Sequence, residues 1–295
     1  YKNIYYMVGQ HIPEKNAEGK SRYYGITIVK SKDMIHWTDI NFLAKANLES
    51  GDLSSGSTIE RPKLLVDEKN NNFYIWFHLE KRGMGYNSAL VGVLKSKYID
   101  KNYNYIGSFK INKRKLPFGE YDLSKLKNKR YFLEKFDLGQ DSRDMNIYQD
   151  KSGKWYLVSS SENNTSIIIS EINSNHDGLT GKYTRLFPGL GNEAPIMFEK
   201  NNDIFLYTSD VTGWKPNKSR LYTARSIFGP WRRIDNFVKS DIKNINSTFG
   251  SQGSSIIEFR GKEYYIGDVW NTNDLSDSGY LVKPINWSNG LPFIE

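Results

Sequence analysis

The 295-residue chain carries 41 Lys and Arg against 33 Asp and Glu, a net charge of +8, and has no cysteine. Disulfide frameworks and thiolate chemistry are therefore excluded, and no run approaches the ~18 apolar residues that a membrane-spanning helix needs. The positive charge is scattered, and its densest cluster, "INKRKLPFGEYDLSKLKNKRYF" at 111–132, is interrupted by Glu120 and Asp122, which argues against a nucleic-acid groove and for a solvated surface.

Tyr (20), Phe (15) and Trp (7) are abundant, as both β-structure and sugar-binding surfaces favour. The chain opens on "YKNIYYMVG", already strand-like, so an export signal is not among these residues. The first segment continues through "YYGITIVKS" to "IHWTDI". It then repeats with an addition in front. "ERPKLLVDEKNNNFYIWFH" starts at Glu60, "RDMNIYQDKSGKWYLVSSS" has Asp144 second, "EAPIMFEKNNDIFLYTS" starts at Glu193, and "QGSSIIEFRGKEYYIGD" starts at Gln252.

Each of these four segments has a polar residue, a short β-prone run, a tight polar turn and an aromatic run, the pattern of a hairpin. Third strands follow in "SALVGVLKS", "TSIIISEI" and "SRLYTARS". Fourth strands are expected in "IHWTDI", "YNYIGSF", "GKYTRLF" and "GPWRRIDNF". Four strands recurring about every 50 residues predict an all-β fold, a five-bladed β-propeller of four-stranded antiparallel blades around a central channel. The whole of 1–295 is expected to form one catalytic domain. The first blade matches from its second strand onward, so its innermost strand is expected upstream of Tyr1. Residues 111–139 break the register as a polar, basic insertion loop.

In a propeller the start of each first strand faces one mouth of the channel. Glu60, Asp144, Glu193 and Gln252 hold the same place in four successive blades and should therefore converge. A polar cap kept for solubility explains any one of them. Three like charges brought together are costly, so as a set they point to a site. Paired carboxyl groups in an aromatic-rimmed pocket suit glycoside hydrolysis: one donates a proton to the leaving oxygen, and its partner activates water or stabilises the oxocarbenium-like centre. The chain has no HExxH, no GxSxG and no phosphate-cradling glycine loop. His11, His36, His78 and His176 lack ligand spacing; His36 and His176 read as surface residues, and His78 in "IWFHLE" as a hydrogen-bonded core or pocket-wall residue.

The set "IERPKLL", "SRDMNIYQDKSGKWYL", "NEAPIMF…YTSDVTGWKPN", "FGSQGSSII" and "YIGDVWN…DSGYLVKPINW" resembles glycoside hydrolase family 43, and within it the exo-acting galactan 1,3-β-galactosidases, over nearly the whole chain. The resemblance implies an inverting hydrolase acting on β-1,3-galactan, the main chain of arabinogalactan, and releasing galactose. Glu193 matches the general acid, Asp144 the aspartate that orients it and raises its pKa, and Glu60 a glutamate that holds the sugar. Gln252 stands where most of the family uses a carboxylate base; two readings stand for it, an amide acting as base through its imidic tautomer and an amide that only orients water. Thr212 and Trp214 match sugar contacts, with packing between blades as an equal reading of Trp214. Tyr86 and Asn163 match the pocket rim. Asp268 and Asp277 belong to matching motifs that serve equally to tie the last blade together. Gln10, in "MVGQHI", stands where relatives resemble "YGE", so a subsite carboxylate is replaced by an amide.

The expected partner is an oligo- or polysaccharide, with no nucleic acid, no membrane span and no cofactor; composition leaves open a structural metal ion in the channel. A monomer, secreted, periplasmic or at the cell surface, is expected. Other family substrates (α-L-arabinofuranosides, β-xylosides, other β-galactosides) and a non-catalytic galactan-binding propeller are the alternatives.

Overall fold

Alternating β-branched and aromatic residues punctuated by polar turns build an almost entirely antiparallel architecture. It is described here, for residues 1–13, 23–234 and 236–295, from a computed structural model. Contacts divide the chain into two units.

The first unit comprises Tyr1–Ile111, Asp141–Arg143 and Asn173–Gly178. One of its sheets runs β1 (Tyr5–His11), β2 (Gly25–Ser31), β3 (Asn41–Lys45), in that order. The other runs β4 (Thr58–Asp67), β5 (Asn72–Glu80), β6 (Leu90–Ser96), β7 (Asn104–Phe109). Register shows how the two correspond. Tyr5 pairs with Ser31 and Gln10 with Ile26, as Phe73 pairs with Ser96 and His78 with Val91. Gln10 thus takes the place of His78, and β1 is a second strand, as the repeat requires. The last strand of the first sheet is Asn41–Lys45 and not the expected "IHWTDI". The Asp33 carboxylate accepts from the backbone N–H groups of Ile35 and His36 and bonds the His36 ring, which holds that stretch in a turn. Ile26, Ile28, Leu43, Ile59, Ile75, Phe77 and Leu94 form the core of this unit.

The second unit comprises Asn112–Gln140, Asp144–Ile172 and Leu179–Glu295. Its three large sheets are β8 (Met145–Gln149), β9 (Trp155–Ser161), β10 (Ser166–Ile172) and β11 (Leu179–Leu186); β12 (Glu193–Lys200), β13 (Asp203–Ser209), β14 (Arg220–Ala224) and β15 (Arg232–Ile234); and β16 (Gln252–Phe259), β17 (Lys262–Val269) and β18 (Gly279–Pro284). A small pair, β19 (Asn286–Ser288) and β20 (Leu291–Phe293), follows. Two apolar clusters fill this unit. Val158, Ile169, Met197 and Leu206 belong to one, and Ile196, Phe205, Tyr207 and Tyr265 to the other. Each fully buried Leu, Ile or Phe contributes about 1.5–3 kcal/mol relative to exposure.

The five sheets are the blades of a five-bladed β-propeller, two in the first unit and three in the second. The first and last blades have three strands rather than four among the described residues. The insertion at 111–139 is more than a loop. It contains a 3-10 turn at Leu123–Lys125 and a short helix α1 (Arg130–Lys135), and Phe132 is fully buried. Its sequence hides this because one buried aromatic among many lysines leaves no periodic signal. No helix among the described residues is long and apolar enough to cross a membrane.

Gly253 shows how tightly the second unit closes beneath its inner strands. A Cβ there would lie 2.3 Å from Cε1 of the fully buried Tyr207, whose hydroxyl receives the Gly253 N–H at 3.2 Å. Gly253→Ala is therefore expected to cost about 1–3 kcal/mol through overpacking. Urea denaturation with an unchanged m-value checks it.

Candidate active site

In the second unit Asp144 precedes β8, Glu193 opens β12 and Gln252 opens β16. Across the hairpins Glu193 lies opposite Ser209 and Gln252 opposite Asp268, while the carbonyl of Asp144 receives the N–H of Ser160. The equal hairpin lengths read in the sequence are thus a shared register.

The register then breaks. Glu193 pairs with Ser209 but Ile196 with Tyr207, so β12 accommodates one extra residue, a β-bulge at Ala194 and Pro195. Proline has no N–H to give the ladder, and a bulge is where a strand tolerates it. Ala194 has a φ of +49°, a left-handed conformation that costs a residue with a Cβ roughly 1–2 kcal/mol. Its N–H leaves the ladder and donates to Oδ2 of Asp144 at 3.0 Å. The acidic residue of one blade therefore fixes the backbone next to Glu193 of the following blade.

The Glu193 carboxyl accepts at Oε1 from Asn164 Nδ2, at 2.6 Å, and is half-buried. Facing it across the hairpin, the Ser209 hydroxyl accepts from Gln252 Nε2 at 3.0 Å. Gln252 Oε1 in turn accepts from the Trp270 indole N–H at 3.2 Å. Indole only donates, so the amide oxygen must face Trp270 and the amide nitrogen Ser209. Gln252 is 7% exposed and held at both ends of its amide. Behind it, burial and the adjacent Tyr207 push the Tyr265 phenol well up.

Two structures hold Glu193 from its flanks. Arg220 donates to the carbonyls of Leu190 (3.3 Å) and Gly191 and to Asp210 Oδ1 (2.6 Å), fixing the loop that leads into β12. On the other side, Glu162, Asn163 and Asn164 have φ of +52°, +58° and +59°, three consecutive left-handed residues. The last presents its amide to Glu193. The residue that reaches the carboxyl is thus Asn164, while Asn163 is exposed. Trp214 is half-buried and packs edge-on against Trp270, with centroids 4.8 Å apart at 70°. Thr212 is exposed; its hydroxyl donates to the Lys215 carbonyl at 2.7 Å and accepts from Asn217. Asp277 accepts from Asn271 within the last blade.

The first unit repeats the bulge. Glu60 pairs with His78 and Lys63 with Trp76, and Arg61 has a φ of +52°. Here the N–H after the glutamate donates to Gln10 Oε1 at 2.9 Å. Gln10 does for Glu60 what Asp144 does for Glu193, with an amide in place of a carboxylate. Glu60 Oε1 accepts from the Tyr86 hydroxyl at 2.8 Å. His78 is buried as expected and sits between two glutamates: its Nε2 lies 2.8 Å from Glu80 Oε1 and its Nδ1 3.5 Å from Glu60 Oε2. Glu80, also buried, accepts the backbone N–H groups of Ser88 and Ala89 and so closes the loop that carries Tyr86. His36 is exposed, but His176 is a correction to the surface reading. It is half-buried, 5.6 Å from the Tyr74 ring and 3.5 Å from Asp67, because its backbone carbonyl is tied to the Trp76 indole.

The structure therefore gathers Asp144, Glu193 and Gln252 in one unit and Gln10, Glu60 and Tyr86 in the other. Among the described residues no group of three or more His, Cys, Asp or Glu is placed to hold a metal ion. Sequence reasoning did not single out Asn164, Trp270 or Glu80. The aromatic in "DVWN" was the one available signal for Trp270.

The model of glycosyl hydrolases family 43 matches residues 2–292. A GH43 β-1,3-galactosidase solved with galactodeoxynojirimycin is 33% identical, with a TM-score of 0.91 covering 100% of this chain and 91% of that one. The exo-β-1,3-galactanase of Phanerochaete chrysosporium with galactose is 27% identical, with a TM-score of 0.78 over 100% of this chain and 61% of that one. That of Clostridium thermocellum, 24% identical with a TM-score of 0.79 over 100% and 59%, shares the fold. The chain thus spans about three fifths of the length of the last two. No curated protein sequence matches it significantly.

If Trp270 sets the orientation of the Gln252 amide, Trp270→Phe leaves an aromatic side chain there and removes the N–H that the amide oxygen accepts. Turnover of a cleaved glycoside is expected to fall roughly tenfold, the effect of one lost hydrogen bond of about 1–1.5 kcal/mol. Steady-state kinetics beside an unchanged melting temperature checks it.

Proposed function

The chain belongs to glycosyl hydrolases family 43, and from that premise we propose that it is an inverting, exo-acting hydrolase of β-1,3-linked galactan that releases galactose. The observation that carries this reading is the linking of Glu193, Asp144 and Gln252 through one intervening residue each: Asp144 on the backbone N–H of Ala194 beside Glu193, and Gln252 on Ser209, which lies opposite Glu193.

In this reading Glu193 hands its proton to the glycosidic oxygen as the bond to C1 breaks. The Asn164 amide fixes the direction of that carboxyl group. Asp144 holds the local backbone, and its negative charge disfavours a second one on Glu193. Water attacks C1 from the opposite face, its proton leaving to solvent or to a neighbouring acceptor. Gln252 orients that water. An amide whose oxygen already receives the Trp270 N–H is a still weaker base, and the Ser209–Gln252–Trp270 contacts fit the ordinary amide form. Glu60, buttressed by Tyr86 and His78, is assigned to binding the sugar, with Gln10 as its positioning partner. Thr212, Trp214 and Asn163 are assigned to the rim. The whole chain acts as one catalytic domain on a polymer met outside the cytoplasm.

General acid catalysis contributes typically 10²–10⁴-fold, so Glu193→Gln is expected to lower galactose release from β-1,3-galactan by about that factor. Chromatographic assay of released galactose decides it. Undiminished release would remove Glu193 from the role, and absence of galactose from wild-type digests would remove the substrate. Proton NMR of the early product should show the α-anomer first.

A further inference from the structure

We propose that the buried Arg185–Glu162 ion pair is the positioning element of the acid, and that the 111–139 insertion serves to complete it. The inference rests on reading Glu193 as the acid.

It starts from the left-handed turn Glu162–Asn163–Asn164. Asparagine tolerates that conformation; glutamate does so poorly, and such strain persists only where the surroundings over-determine it. Glu162 is 1% exposed, and both its oxygens are taken by one guanidinium: Arg185 Nε at 2.5 Å and Nη2 at 2.6 Å. This is a bidentate fork, which fixes direction as well as distance. The outer edge of the same guanidinium donates to the carbonyls of Lys127 (2.8 Å) and Asn128 (2.9 Å). Its flat face lies 5.3 Å from the ring of the fully buried Phe132. All three residues belong to the insertion, so three of its contacts converge on the one guanidinium.

The turn is also sewn to the loop that leads into Glu193. Gly189 N–H and Leu190 N–H donate to the Thr165 carbonyl, Asn192 N–H donates to that of Asn164, and Asn128 Nδ2 reaches the Pro188 carbonyl. At the end of this series stands the Asn164 amide on Glu193 Oε1. A buried ion pair is a poor source of stability, since apolar residues of like volume serve as well or better. What it supplies here is orientation. A lysine at 185 would keep the charge and lose the fork.

The test compares kcat and KM of wild type, Arg185→Lys and Glu162→Gln on two substrates. β-1,3-Galactobiose needs its leaving oxygen protonated, whereas β-galactosyl fluoride expels fluoride with little acid assistance. With the acid displaced by about 1 Å, a loss of order 10²-fold is reachable. Both variants should lose about 10–100-fold in kcat on the disaccharide while KM and fluoride turnover stay within about threefold. A kcat on the disaccharide unchanged in either folded variant overturns the proposal. So does an equal loss on both substrates, which marks general damage to the fold. If Glu193→Gln loses equally on both substrates, the reading of Glu193 itself has failed and this proposal falls with it. If Glu193→Gln is selective and Arg185→Lys is not, only the brace is wrong.

Discussion

One hydrogen bond organises the candidate site: the N–H of Ala194 given to the Asp144 carboxylate across two inner strands. A backbone donor that leaves its ladder inside a protein must find a partner, because an unpaired one costs about as much as the bond it lost. The bulge after Glu193 creates that donor, and the preceding blade supplies the acceptor. Because the acceptor is ionisable and the donor is the next peptide along from Glu193, satisfying the backbone also brings an acidic side chain to the peptide beside Glu193. The first unit builds the same device from Arg61 and Gln10. There the acceptor is neutral, so it positions a glutamate without putting a second charge beside it. The two units thus show one backbone device with a carboxylate acceptor and with an amide acceptor.

Bulge and repeat together explain how equivalent positions come to differ in chemistry. A regular first strand would present the opening residue of every blade alike. One extra residue re-aims the side chain, and the residue opposite in the hairpin then sets its environment. Glu60 faces a histidine, Glu193 a serine and Gln252 an aspartate. Ser209 is small and both donates and accepts, so it can stand between Glu193 and Gln252 without adding charge.

The blades were legible because strand length and turn chemistry repeat, and the shared register of Asp144, Glu193 and Gln252 could be counted along the chain. The bulges were half-legible: Pro62 and Pro195 interrupt otherwise strand-like runs two residues after their glutamates, whereas Gln252 is followed by no such mark. Which of two adjacent asparagines touches Glu193 was not legible. Asn163 and Asn164 have the same chemistry, and only the left-handed path of the turn selects between them. Nor could Arg185 be joined to Glu162 across two strands by any local pattern. The fourth strand of the first blade was misplaced for a related reason. Asp33, an ordinary surface residue by composition, gathers four partners, among them the N–H groups of Ile35 and His36, and holds the start of "IHWTDI" in a turn.

Among the residues with a Cβ held at positive φ, which occur throughout the chain, are Arg61 next to Glu60, Ala194 next to Glu193, and Glu162 in the turn whose last residue bonds Glu193, with Asn163 and Asn164 at lower cost. At roughly 1–2 kcal/mol for each non-asparagine residue, the sum is a sizeable part of the 5–15 kcal/mol by which a domain is stable. A sequence selected for stability alone would replace them with glycine. Glycine would relieve the strain and also widen the range of directions open to the neighbouring carboxyl. For a proton to pass to a bridging oxygen the donor must sit within hydrogen-bond reach of one atom, so angular freedom is the greater loss. The strained residues are tolerable because each is met by a fixed partner: Gln10 for Arg61, Arg185 for Glu162 and Asp144 for Ala194. Within the second unit Glu162 and Ala194 are strained positions with polar anchors near Glu193, the rigidity that the proposed proton donor requires; Arg61 is the counterpart of Ala194 beside Glu60 in the first unit.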